Sequence, residues 1–383
     1  MKSLDLYAQE RLAARDSANL RRTITTTGTD DGVFVMRNGR RLLNFSSNDY
    51  LNLSQHPAVK EAAIDAIHRF GVGAGASRLI TGDHPLYAEL EGRLAKLKGT
   101  EAACVFGSGY LANTGILPAI AGRGDLVLCD ELSHSCIRTG AELSRADVHI
   151  FRHNDVAHAR QLLEQNRLRY GHAVIATEGI FSMDGDRAPL EELAKLAEQY
   201  DAWLLCDDAH GIGVVGNGRG AAFMNGKPVD IPLQMGTLSK AIGGYGGYLC
   251  ASRPVIDLMQ NRARTLIYST GLPPSVIASA LAAIDVIENE PAYAALPLQK
   301  ARLFTRLTQL PEAQSTIVPV LLGDADRTLA ASKMLEDEGY LVIGIRPPTV
   351  PEGTARLRFT FTALQDDTDI ERLAGIVRSR ILN

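Results

Sequence analysis

The stretch AVIATEGIFSMDGDRAPLEELAKLAEQYDAWLLCDDAHG, residues 173–211, decides the fold. AVIAT (173–177) and WLLC (203–206) are solidly apolar rather than alternating, which suits strands covered on both faces. Between them, Leu190–Gln199 carries apolar residues at helical spacing. A helix threaded between two fully buried strands is the repeating unit of a wound α/β sheet.

The same rhythm continues to either side. AACVF (102–106), DLVLC (125–129), VHIF (148–151), IPLQM (231–235) and GGYLC (246–250) read as further strands. Leu86–Lys98, Leu111–Ala121, Ser135–Ser144 and Val156–Gln165 read as helices. The predicted fold class is therefore α/β, with a mainly parallel sheet of about seven strands covered by helices. After Pro273-Pro274 the order changes. A helix over 275–289 is followed by TIVPVLL, a helix over 326–338, YLVIGI, ARLRFTF and a closing helix from Asp367, the pattern of a smaller α+β domain. The expected division is an N-terminal helical and extended segment (1–45), a large α/β domain (46–288) and a small C-terminal domain (289–383). A chain of 383 residues is longer than one core comfortably supports, which agrees with more than one domain.

Composition narrows the function classes. Forty Lys and Arg against 44 Asp and Glu give a net charge of −4 with no strong block of either sign, which argues against a nucleic-acid binder. The opening MKSLDLYAQERLAARD is amphipathic and carries acids, unlike a secretory signal or an organellar presequence. The longest apolar stretch, Val276–Ile287, is interrupted by Ser and Asp and is too short for a bilayer, so no membrane association is expected. The five cysteines are odd in number and form no CxxC, as free buried thiols in a reducing cytoplasm would. Cytoplasmic localisation is the expectation.

In an open α/β sheet, ligands collect beyond the carboxyl ends of the strands. The residues there are Gly107-Ser108-Gly109-Tyr110, Asp130 to His134, Glu178 to Ser182, Asp207-Asp208-Ala209-His210 and Gly236-Thr237-Leu238-Ser239-Lys240. Five strand ends thus deliver a glycine turn, a His, a Ser, an Asp/His pair and a Thr/Lys pair to one rim. Taken singly, each has a plainer reading. Ser108-Gly109-Tyr110 is a phosphate-binding helix start or an ordinary strand-to-helix turn. Asp207 and His210 are spaced for a metal or for a hydrogen-bonded pair. His149, His153 and His158 straddle a loop and read as surface polar groups. The runs GVGAG (71–75) and GNGRG (216–220) lack the strand and the third spaced glycine of a dinucleotide site.

Together the rim residues suit one cofactor. Pyridoxal phosphate needs a lysine to hold its aldehyde carbon, an acid beside its ring nitrogen, donors for its phosphate and phenolic oxygen, and a flat group on the ring. Lys240 lies beyond an apolar strand, where an amine becomes a nucleophile. Asp207 supplies the acid, because a nearby carboxylate favours the protonated pyridine.

The motifs NFSSNDYLNLS (44–54), LSHSC (132–136), TEGIFSMDGD (177–186), DDAHGIGVVG (207–216), GTLSKAIGG (236–244), IYSTGLPP (267–274) and IRPPTVPEGTARLR (345–358) resemble those of the α-oxoamine synthases, which are pyridoxal-phosphate enzymes of aminotransferase fold type I. The resemblance runs from about Arg21 to the C-terminus. It implies that Lys240 holds the cofactor, Asp207 faces its ring nitrogen, Ser182 and His210 contact its phenolic oxygen, and His134 stacks on the ring and meets substrate. It further implies that Ser108, Gly109, Tyr110 and Thr237 serve the phosphate. Arg358 would pair with the amino-acid carboxylate, and Arg21 and Thr349 would contact the acyl substrate. The active site would be shared in a homodimer, with Ser269 and Thr270 offered by the partner subunit. The implied reaction is a decarboxylative condensation of L-alanine with a pimeloyl thioester, carried on coenzyme A or by a transiently docked acyl carrier protein. Sister enzymes of the family instead join glycine to acetyl-CoA or succinyl-CoA.

Overall fold

The computed structural model describes residues 2–17 and 20–382. Its main sheet runs in the order Ala102–Phe106, Gly247–Ala251, Leu233–Thr237, Trp203–Asp207, Ala173–Glu178, Leu126–Asp130, Asp147–Phe151. Four of its six neighbour pairs are parallel, and both antiparallel pairs involve Gly247–Ala251, so the sheet is mainly parallel as expected. Successive residues of one strand serve opposite cores. Ala173 and Ile175 pack with Leu190, Leu193 and Leu196, whereas Val174 and Ala176 join Ile116, Leu117 and Ile137. Burial on both faces is why these strands are apolar throughout. All five thiols are free and buried.

The strand expected at 231–235 lies at Leu233–Thr237 instead. Pro232 has no N–H to give a ladder, and pairing begins just after it. Gly236 and Thr237 are therefore inside the strand. Likewise Asp130, Glu178 and Asp207 are the last residues of their strands rather than the first of the following loops. Their side chains consequently have fixed backbone directions.

By packing, the chain divides into two compact units: residues up to Phe45 with Val320–Arg358, and Ser46–Pro319 with Phe359 onward. The helices Pro291–Thr308 and Asp367–Val377, assigned above to the small domain, thus fall in the larger unit. There Phe304 packs its ring 4.9 Å from Phe359 and 5.2 Å from Phe361. In the smaller unit, Thr27–Asp30, Phe34–Arg37 and Arg40–Asn44 form antiparallel hairpins, with Tyr340–Leu341 added in parallel. Val35, Leu42 and Leu341 form its apolar cluster.

Candidate active site

The carboxyl edge of the main sheet builds the site. Register places Glu178 beside Asp207 on neighbouring parallel strands, so two acids stand at one edge. Asp207 is buried; its Oδ1 accepts from Ala209 N at 3.0 Å and its Oδ2 from Asn113 Nδ2 at 2.6 Å. Glu178 Oε1 accepts from the backbone N–H of His134 at 2.6 Å, and Oε2 from that of Ser182 at 3.1 Å. One side chain therefore ties together the two loops that carry His134 and Ser182. Burial, and then the neighbouring Asp207 charge, push the Glu178 carboxyl well above the usual range against these two N–H donors.

His134 caps the helix Ser135–Ser144, its Nδ1 accepting from Cys136 N at 3.3 Å. Burial lowers its pKa; Asp207 opposes that shift, and the Lys240 charge adds to it. Lys240, half-buried, acts electrostatically on His134, Cys136 and Glu178 alike, as does Asp207 on all three. Lys240, Asp207 and His134 thus share one electrostatic neighbourhood.

A glycine cradle lies at the other end. Ser108 Oγ caps Leu111 N at 3.1 Å at the start of the helix Gly109–Ile120, leaving the N–H groups of 109 and 110 without intrahelical partners. A Cβ on Gly247 would stand 2.6 Å from the Ser108 carbonyl oxygen and 2.7 Å from Gly109 N, so only glycine lets this helix start seat on the sheet. A Cβ on Gly109 would meet Thr237 Oγ1 at 3.5 Å, which puts that hydroxyl beside the helix start. Thr237 Oγ1 also reaches Ser239 Oγ at 2.7 Å. An amine, a buried carboxylate, a flat imidazole and a helix N-terminus with hydroxyls match the distinct ends of pyridoxal phosphate. Tyr110 is exposed. His210 is buried and shares a 2.7 Å hydrogen bond between its Nδ1 and the Tyr50 hydroxyl.

Thr270 is exposed and forms a bridge with Ser77 in the larger unit. Arg21, Thr349 and Arg358 all belong to the smaller unit. There Arg21 pairs with Asp16 at 2.7 Å, Thr349 Oγ1 accepts from Arg22 at 3.1 Å, and buried Arg358 stands opposite Ile343 in the sheet.

Two clusters beside the site are not evident from sequence. Lys98 Nζ is buried 2.8 Å from Asp208 Oδ2 and 2.7 Å from the Arg219 carbonyl, and Asp208 also accepts from Ala221 N. His153, expected at the surface, instead bridges Asp130 (Nδ1, 3.0 Å) and Asp186 (Nε2, 2.8 Å), its ring edge-on to Phe181. It thereby links the end of the strand Leu126–Asp130 to the turn carrying Ser182. Burial disfavours the charged imidazole, but the two carboxylates outweigh it and push the His153 pKa to about 10. The native value lies above the ordinary 6.5, so this clamp stabilises fully below pH 6.5 and loses its contribution as pH rises to about 10. A His153→Gln protein should melt below wild type at the acid end of that window, the gap closing toward the alkaline end. A gap independent of pH would contradict a charged clamp.

The chain matches the family Aminotransferase class I and II over residues 40–377. It is 58% identical over 377 residues to the 8-amino-7-oxononanoate synthase of Beijerinckia indica subsp. indica, covering 98% of each chain. The corresponding protein of Methylocella silvestris is 62% identical over 344 residues, covering 90% of this chain and 98% of the relative. Among solved structures, serine palmitoyltransferase from S. paucimobilis with a bound PLP–myriocin aldimine superposes with a TM-score of 0.92 at 27% identity, covering 99% of this chain and 98% of that one.

Proposed function

The chain belongs to the class I and II aminotransferase family and, within it, to the 8-amino-7-oxononanoate synthases, and from that premise we propose that it joins L-alanine to a pimeloyl thioester, releasing CO2, the free thiol and 8-amino-7-oxononanoate for biotin synthesis. It is a pyridoxal-phosphate-dependent acyltransferase. The observation that carries the reading is Asp207: a buried strand-end carboxylate that shares its surroundings with Lys240 and His134.

Bound there, pyridoxal phosphate supplies an electron sink for negative charge at the α-carbon of the amino acid. Lys240 would hold the cofactor through its amine and would serve as the base that takes and returns the α-proton. Asp207 favours a protonated ring nitrogen, held in place by Asn113 and Ala209 N. His134 offers a flat, uncharged ring for stacking, because burial lowers its pKa. Ser182 and His210 serve the phenolic oxygen; the helix start at Gly109-Tyr110, with Ser108 and Thr237, takes the phosphate. Arg358 receives the amino-acid carboxylate, and Arg21 and Thr349 receive the acyl chain. The family pattern supports a homodimer in which Ser269 and Thr270 reach the partner's site, and the exposure of Thr270 agrees with that role. Coenzyme A and a transiently docked acyl carrier protein are both suitable acyl donors. Among the described residues no helix is long and apolar enough to cross a membrane; we place the enzyme in the cytoplasm.

Substrate choice is tested by kcat/KM for alanine, glycine and serine against pimeloyl, acetyl and succinyl thioesters. L-alanine with the pimeloyl donor should exceed glycine by at least about tenfold, the usual reach of one methyl group. Preference for glycine with an acetyl or succinyl donor would assign the chain to a sister activity.

A further inference from the structure

A chain of polar contacts runs from buried Asp207, through buried Asn113 and Cys136, out to the exposed residue His134, and its direction is determined. A carboxylate oxygen can only accept, so the 2.6 Å contact from Asp207 Oδ2 must meet the amide nitrogen of Asn113. Turning the amide would set oxygen against oxygen. The second amide hydrogen of Asn113 points to Cys136 Sγ at 3.2 Å. Both N–H groups are thereby used, while Asn113 Oδ1, on a residue with no solvent exposure, has no hydrogen-bond partner among the described residues. An orphaned buried acceptor is destabilising. The fold tolerates it in exchange for this one amide orientation.

Cys136 Sγ also lies 2.8 Å from His134 Nδ1, and Cys136 N donates to the same nitrogen at 3.3 Å. A ring nitrogen that accepts a backbone N–H carries no hydrogen of its own, so the thiol proton is the one shared with it. The sulfur accepts from Asn113 and keeps its own proton to share with Nδ1, since burial and then the neighbouring Asp207 push the Cys136 thiol up to about 12. We propose that Asn113 and Cys136 are positioning residues that hold His134 in one tautomer, with Nδ1 accepting and the ring proton on Nε2. The order is Asn113 N–H to sulfur, then sulfur S–H to Nδ1. His134 then presents Nε2–H as a donor of fixed direction on its free side. Resting on the cofactor reading above, this makes His134 a stacking group that also donates a hydrogen bond to substrate.

The tautomer is read in the cofactor-free protein by long-range 1H–15N NMR of 15N-histidine-labelled samples, His134 being assigned with His134→Asn. The expected result is a neutral imidazole with Nε2 protonated in wild type and in Cys136→Ser, which keeps a donor. Cys136→Ala should give mixed tautomers and, with cofactor, a kcat lowered by about tenfold at little-changed KM for L-alanine, rescued by Cys136→Ser. His134 with its proton on Nδ1 in wild type would overturn the proposal, and so would Ser and Ala variants that behave alike. Should Cys136→Ala fail to fold, the wild-type and Cys136→Ser spectra still decide. A wild-type protein with the expected tautomer that never binds pyridoxal phosphate would contradict the cofactor reading alone.

Discussion

Lys240→Ala should yield a folded protein without the visible absorbance of a covalently held cofactor, and its condensation rate should fall by about 10²–10⁴-fold or more. The size follows from the two tasks of one amine. On the proposed reading Lys240 anchors the cofactor and is also the base at the α-carbon. Lys98, also in the larger unit, is buried against Asp208 and the Arg219 carbonyl. Loss of the amine leaves Asp207 and the helix start at Gly109 intact, so pyridoxal phosphate should still bind reversibly and added primary amine should restore a little turnover. Absorbance and a stopped assay with L-alanine and a pimeloyl thioester check both points. A colourless Lys240→Ala protein condensing at the wild-type rate would contradict the assignment.

The largest stability effect is expected away from the cofactor, at Lys98. Both Lys98 and Asp208 side chains are almost entirely buried, and burial already pushes the Asp208 carboxyl up against the pull of Lys98. In Lys98→Met the carboxylate keeps the Ala221 N–H as a donor but loses its cation, leaving a buried charge uncompensated. Removing one partner of such a pair costs about 3–5 kcal/mol. The protein should melt several degrees below wild type, and adding Asp208→Asn should recover part of the loss, because the surviving group is then neutral. Asp208 follows Asp207 directly, so the damage should extend to cofactor affinity. A single variant that melts with wild type, or a double variant less stable than the single, would contradict a buried pair.

The residues at the carboxyl edge of the sheet were legible because strand ends are legible. Solidly apolar runs disclose where strands stop, and Asp130, Glu178, Asp207 and Thr237 are the polar residues that end them. What supports them was not legible. Asn113 sits mid-helix in LANTG with no pattern to mark it, and its role depends on the packing of that helix against Ser135–Ser144. Lys98 in KLKGT reads as a solvated last-turn lysine until the turn at 219–221 closes over it. His153 in RHNDV reads as loop polarity, since its partners Asp130 and Asp186 lie 23 and 33 residues away. The two packing units are likewise not contiguous in sequence: Phe359 onward returns to pack with Phe304, which chain order does not foretell. Contacts that the topology creates have no local signature.

The central claim is that the carboxyl edge of the sheet holds pyridoxal phosphate on Lys240. The most direct measurement is borohydride reduction of the cofactor-loaded protein, followed by peptide mapping. One pyridoxyl group per chain, on the peptide containing Lys240, is the predicted result. The label on Lys98 or another lysine, or no label at all on protein that condenses its substrates, would contradict it.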